Sequence, residues 1–358
     1  LRINDLAHAI LSDWIRQGCR FDRDDGPLCT GIFVSPPSGR VLKWPAHTQQ
    51  LQVTARFSDG SERDITRLAV FTSSDEALAT VTSDGWVVGS GLRGQMAVSV
   101  RFLDHVEACH LKWVRDVPGF AWSAPAERNE IDRLVNAKLR QLQFLPAGTC
   151  SDEEFIRRVH LDLLGSLPEP GATLSFLADR DTGKRSRLVD TLLDRPEFAR
   201  FWALKWGDLL RLNPQLITEA GVHKYHSWLV AAFAGNKPYD VFARELLTAQ
   251  GSTFEHPAAN YYRTTPTTTE TLETTAQIFL GARLQCAKCH NHPYERWTQD
   301  NYYGMGAIFE RVRRKSTRRD GEQVVYTARR GEITQPRTGR IMKPWAPGAG
   351  ELRVPEET

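Results

Sequence analysis

Five consecutive residues carry the clearest chemical signal in this chain: Cys286-Ala287-Lys288-Cys289-His290. Two thiols three positions apart can each add to one vinyl group of a single porphyrin. The adjacent imidazole then meets the iron from the same side as its fifth ligand. The pattern is the attachment signature of a c-type haem, one per chain, held covalently by Cys286 and Cys289 with His290 on the metal. A zinc site, a redox Cys-x-x-Cys pair and a chance pair of core cysteines are the other readings of these residues.

The iron needs a sixth partner or an open position. Met305, in Tyr302-Tyr303-Gly304-Met305-Gly306, is the nearest thioether after the motif and makes His290 and Met305 the candidate axial pair. Such a sulfur ligand raises the reduction potential relative to two imidazoles. Met342, His226 and the other histidines His160, His223 and His256 are alternatives, as is an open iron. Met96 falls in a strand-like stretch and is expected in a core. His292 is too close in sequence to His290 to swing to the opposite haem face, so a propionate or a supporting hydrogen bond is its expected partner; an ordinary polar loop residue is the other reading. Trp297 is a candidate for packing on the porphyrin, among Tyr294, Tyr302, Tyr303 and Phe309, although aromatics pack in any core. Arg283, Lys288 and Arg296 are candidates to pair with propionates or simply to face solvent.

Such a turn must be held by a folded domain, and helical periodicity begins well before it. Ile131, Leu134, Val135, Leu139 and Leu142 form one stripe, closed before Pro146. Ser151-Asp152-Glu153-Glu154 supplies an N-cap with an acidic residue at the third helical position, opening a helix that runs to Gly165. Further helices are expected over 185–193, 198–212, 222–233, 239–247 and 270–280, the last leading into the cysteines. Periodicity collapses after Phe309. Arg311-Val312-Arg313-Arg314-Lys315, followed by Arg318-Arg319, reads as a solvated basic loop or as a contact for an anionic partner. The scattered carboxylates Asp190, Asp194, Glu197, Asp240 and Glu245 form no acid–base pair. No nucleophile elbow, phosphate loop or His-Glu-x-x-His zinc motif is present.

Residues 31–114 have a different period. Ile32, Val34, Leu42, Leu51, Val53, Ala55 and Phe57 mark short alternating strands, and Ser58-Asp59-Gly60 and Ser83-Asp84-Gly85 are turn signals. About seven strands predict a small antiparallel sandwich. Ahead of it, Leu6, Ile10, Leu11, Trp14 and Ile15 predict one amphipathic helix stopped at Gly18, then the polar connector Asp22–Pro27. The 358 residues suit two or three domains. With 46 basic and 43 acidic residues there is no field directed at nucleic acid, and no run approaches the roughly 18 apolar residues of a membrane helix. The chain opens on Leu1 without a signal peptide, which reads as a fragment or a processed chain. Four cysteines lie outside the motif, and Cys19 and Cys29 are close enough in sequence that pairing is left open.

The β segment resembles the bacterial immunoglobulin-like group 2 domains, through Leu51-Gln52-Val53-Thr54-Ala55-Arg56-Phe57-Ser58-Asp59-Gly60, Asp64-Ile65-Thr66, Phe71-Thr72-Ser73-Ser74-Asp75, Ala79-Thr80-Val81 and Asp84-Gly85-Trp86-Val87. That likeness implies a spacer or adhesion module. The chain as a whole resembles the large exported cytochrome-c-like proteins of planctomycetes and relatives. The stretches that carry this are Ile156–Pro168, Asn236–Asp240, Pro257–Arg263, Glu273–Gly281, Cys286–Pro293 with Arg296–Asp300, and Pro336–Gly339. The resemblance implies export, covalent haem and flanking domains, but no substrate.

The expected architecture is therefore multidomain: an all-β Ig-like sandwich followed by a mainly α-helical c-type haem domain. Its segments are a tail of a preceding domain over 1–30, the sandwich over 31–114, a linker over 115–130, the helical domain over 131–312 and an irregular basic tail over 313–358. The expected function is one-electron transfer by an exported haem c protein, periplasmic or at the cell surface, with a redox partner protein. The alternatives are a haem-dependent oxidoreductase completed by other domains, and a cell-surface or polysaccharide-binding protein in which haem or zinc is a staple.

Overall fold

The computed structural model describes residues 6–19, 26–292 and 295–353. The connector residues Asp22–Asp25, the pair Pro293 and Tyr294, and Pro355–Thr358 lie outside them. The chain forms two compact units, Leu1–Gly148 with Asn291–Arg296, and Thr149–His290 with Trp297–Thr358.

The first unit begins with α1 (Leu6–Arg16), where the sequence predicts it, and Gly18 closes it at φ +84°. Ten strands follow: β1 (Cys29–Ser35), β2 (Arg40–Lys43), β3 (Thr48–Gln50), β4 (Gln52–Phe57), β5 (Glu62–Asp64), β6 (Val70–Ser73), β7 (Ala79–Val81), β8 (Trp86–Gly89), β9 (Gly94–Phe102) and β10 (His105–Val114). They build the sheets β1-β4-β5, β2-β10-β9-β6 and β3-β8-β7. The β domain is as expected, but it is more finely divided than seven strands and not wholly antiparallel. β2 and β10 pair in parallel, Leu42 opposite Trp113. These two strands are far apart in sequence, so no hairpin dictates their relative direction. Alternation supplies the core: Met96, Val98 and Val100 on β9 and Cys109, Leu111 and Trp113 on β10 are buried with Leu51, Val53, Ala55 and Val87. Gly85 shows why one turn needs glycine, since at φ +82° its added Cβ would lie 2.8 Å from the Leu51 carbonyl. α2 (Glu130–Gln141) closes the unit. Asn129 caps it by accepting from the Asp132 amide, and Lys112 Nζ donates to Gln141 Oε1 at 2.8 Å.

The second unit is mainly helical: α3 (Asp152–Leu164), α4 (Pro170–Ala178), α5 (Lys184–Leu193), α6 (Pro196–Leu209), α7 (Pro214–Ala234) and α8 (Tyr239–Leu247). After β11 (Gly251–Ser252) come α9 (Tyr261–Thr264), α10 (Thr268–Phe279) and α11 (Gln299–Phe309). Ser151 caps α3 from the Glu154 amide, and Gly165 ends it at φ +69°, as the sequence predicts. α7 is interrupted at Thr218, whose φ of 64° is costly for a β-branched residue. The core gathers Leu210, Ile217, Tyr225, Leu229, Leu246, Tyr261, Leu272 and Tyr302.

Residues after Phe309 are more regular than their composition implies. They form β12 (Val312–Ser316), β13 (Gln323–Thr327), β14 (Ile333–Thr334), β15 (Ile341–Met342), β16 (Trp345–Ala346) and β17 (Gly350–Glu351). The basic run is thus a strand, not a loop. β12 is held between its charges by pairing with the apolar β13, Arg314 opposite Val325. Among the described residues no helix is long and apolar enough to cross a membrane.

Candidate cofactor site

The path to the motif begins at α10. Thr267 accepts from the Glu270 amide while the Glu270 carboxylate accepts from the Thr267 amide, a reciprocal cap that fixes the start of the helix. Leu272 and Ala276 bury its inner face. Gly281, at φ +64°, turns the chain, and the Ala282 amide returns to the Ala276 carbonyl at 3.1 Å. A short 3₁₀ turn, Gln285–Lys288, follows. Ala282, Leu284 and Ala287 point into the core, whereas Cys286, Cys289 and His290 are exposed. The apolar residues therefore act as pegs that leave both sulfurs and the imidazole facing outward. Inside the turn, the amides of Cys289 and His290 both point to the Cys286 carbonyl, the latter at 3.5 Å.

The turn is clamped from α11. Gln299 Nε2 and the Tyr303 hydroxyl both donate to the Lys288 carbonyl, at 3.0 and 3.1 Å. Two donors on one carbonyl between the cysteines fix the backbone that spaces the thiols. α11 is itself pinned to α10, because the buried Tyr302 hydroxyl donates to Glu273 Oε1 at 2.6 Å. The Tyr302 and Tyr303 rings meet edge to face with centroids 5.1 Å apart. Burial, reinforced by the Glu273 hydrogen bond and charge, raises the Tyr302 phenol well above its ordinary range. Burial and then the charge of Cys289 raise Tyr303. Both phenols therefore stay protonated and act as hydrogen-bond donors at neutral pH. We expect Tyr303→Phe to cost about 0.5–1.5 kcal/mol and to speed amide exchange at 286–290, read by thermal melting and hydrogen exchange.

The other candidates are dispersed. Met305, on α11, is 3% exposed within the core, and Trp297 is buried there with Ala287 and Leu284. Met342 is half-buried at the edge of that core. His292 is 8% exposed and belongs to the short stretch that groups with the first unit. His160 is buried, with Nδ1 2.9 Å from the Ile156 carbonyl. His226 is half-buried on α7, while His223 and His256 are exposed. Arg283, Lys288 and Arg296 are exposed. Met96 lies in the β core, as expected. All six cysteines are free, so Cys19 and Cys29 are not paired. Among the described residues no three His, Cys, Asp or Glu side chains are gathered as a metal-binding shell. The chemistry of the donor set fits one covalently attached haem: two accessible free thiols at the required spacing and an accessible imidazole directly after them. The roles of Gln299 and Tyr303 are not apparent from the motif. Their i, i+4 spacing on one helix face is the signal that pairs them.

Fold and site together define a class: a β domain followed by a helical domain that displays a Cys-x-x-Cys-His turn. The chain belongs to the PSCyt2 family, described as a protein of unknown function (DUF1549), whose match spans residues 130–314 and so includes this turn. No curated protein matches the chain.

Proposed function

We propose that this protein is a c-type haem protein whose role is one-electron transfer. The observation that carries the reading is the exposure of Cys286, Cys289 and His290 together on one turn whose apolar residues are anchored in the core. In this reading Cys286 and Cys289 would hold the porphyrin by thioether bonds and His290 would ligate its iron. The bound group supplies reversible one-electron exchange at its iron. The protein supplies rigidity: Gln299 and Tyr303 hold the Lys288 carbonyl, and Leu284 and Ala287 hold the turn to the core. A fixed anchor of this kind limits rearrangement between oxidation states. Met305, on the helix that clamps the turn, would supply a further ligand from its thioether sulfur. Because covalent haem attachment takes place outside the cytoplasmic membrane, the reading places the protein in the periplasm or at the cell surface, where its partner is another redox protein.

A redox titration of the matured protein followed by its visible spectrum tests this. We expect a single one-electron wave with a six-coordinate low-spin spectrum that carbon monoxide leaves unchanged. Ready carbon monoxide binding to the reduced protein contradicts a closed electron carrier and points to chemistry at an open iron. On the same reading, Met305→Ala lowers the potential and admits carbon monoxide.

A further inference from the structure

Arg263, on α9, is 5% exposed, and no carboxylate among the described residues forms an ion pair with it. Its Nη1 donates to two neutral acceptors, Asn260 Oδ1 at 3.2 Å and the Gly321 carbonyl at 2.8 Å, and its Nε has no hydrogen-bond partner. A buried guanidinium without a counter-ion is costly. Burial lowers its pKa, and the like charge of Arg314 lowers it further. Arg314, half-buried on β12, donates to the Pro266 carbonyl at 2.9 Å. Burial lowers Arg314 too, opposed by the charge of Glu270.

The carboxylates of this region are already engaged. Glu310 accepts from Thr268 Oγ1 at 2.7 Å and from Arg313 Nη2 at 3.4 Å. Glu270 accepts from Thr267 Oγ1 at 2.8 Å and lies 3.8 Å from Arg211. With Glu310 paired to Arg313 and Glu270 to Arg211, neither Arg263 nor Arg314 has a carboxylate ion-pair partner among the described residues. Arg314 and Arg313 open onto a cleft of about 530 Å³ whose walls also include Thr265, Thr267, Thr268 and Ser316. We infer that this cleft binds a tetrahedral oxyanion, phosphate or sulfate, recognised by the guanidinium of Arg314 with Arg313 beside it and favoured by the field of the buried Arg263. Guanidinium groups match the oxygens of such ions with paired, charge-assisted hydrogen bonds. The volume exceeds that of a single ion and leaves room for an ester group. Oxyanion binding here does not depend on haem, and it gives a role to the basic run of β12.

Titration calorimetry on the full chain, at constant ionic strength, tests it with inorganic phosphate, inorganic sulfate and a sugar monoester of each, against chloride. We expect saturable one-to-one binding of the oxyanions. Arg314→Gln should weaken it by at least about tenfold, whereas Arg318→Gln, an exposed arginine outside the cleft, should leave it unchanged. Tighter binding of the monoesters identifies an esterified ligand, and equal or weaker binding identifies the free ion. Arg313→Gln provides a second loss-of-binding variant if Arg314→Gln does not fold. In the unmodified chain, phosphate should slow amide exchange over 262–271 and 312–316. Chloride reproducing the phosphate signal, undiminished binding in folded Arg314→Gln, or protection confined to other segments overturns the inference.

Discussion

Replacing Cys286 and Cys289 together by alanine is expected to abolish covalent haem while leaving the helical domain folded. Both side chains are exposed, so their removal opens no cavity and breaks no core contact. No other cysteine can take over. Cys109 is buried in the β core, where burial raises its thiol pKa and suppresses the reactive thiolate. Cys29 and Cys150 are half-buried, and no second cysteine lies three residues from any of the remaining four. The measurement is an intact mass under denaturing conditions together with the thermal melt. A double variant that keeps its haem through denaturation places the attachment elsewhere. If the proposed attachment holds, His290→Ala is expected to separate the two chemistries, keeping the thioether bonds while changing the spectrum and potential.

The second large effect concerns the support rather than the sulfurs. Leu272→Ala is expected to destabilise the helical unit by about 2–5 kcal/mol. Leu272 is fully buried on α10, one turn from the Ala276 that anchors the chain's exit toward the motif. α11 comes close at this level because of its glycines. A Cβ added at Gly306 would lie 3.0 Å from Ile333 Cδ1 and 3.8 Å from Leu272 Cδ2. A well-packed contact of this kind collapses poorly after truncation, which puts the cost toward the upper part of the range. Each kcal/mol lowers the melting temperature of a domain of this size by roughly 2–4 °C. Leu204→Ala, at an exposed position of α6, serves as the control and should stay within about 0.5 kcal/mol of the unmodified protein. Equal melting of the two variants contradicts the packing described for α10 and α11.

Local signals made much of the helical unit legible. Ser151 and Gly165 bracket α3 because the hydroxyl and the left-handed backbone are properties of those residues themselves. α11 is harder to read, since Gly304 and Gly306 disfavour a helix; only the approach of Trp345 and Ile333 explains them. α4 opens on Pro170-Gly171, a pair that reads as a turn. β12 is charged, and its strand character comes from pairing with β13, a non-local fact. The same division holds at the site. The cysteine spacing is visible in five residues, but the clamp on the Lys288 carbonyl requires α11 to fold back over the turn. The burial of Met305 and Trp297 likewise belongs to tertiary packing, because neither position is set by the motif.

The proposed function rests on covalent attachment of one haem to Cys286 and Cys289. It is tested most directly by producing the full chain in a host with an active c-type cytochrome maturation system, beside a known c-type cytochrome as control, and measuring the intact mass and the pyridine haemochrome spectrum. The expected result is one haem per chain, retained after denaturation and carried by the peptide that contains Cys286 and Cys289. A haem-free chain with both thiols unmodified, in a culture where the control matures, would contradict it.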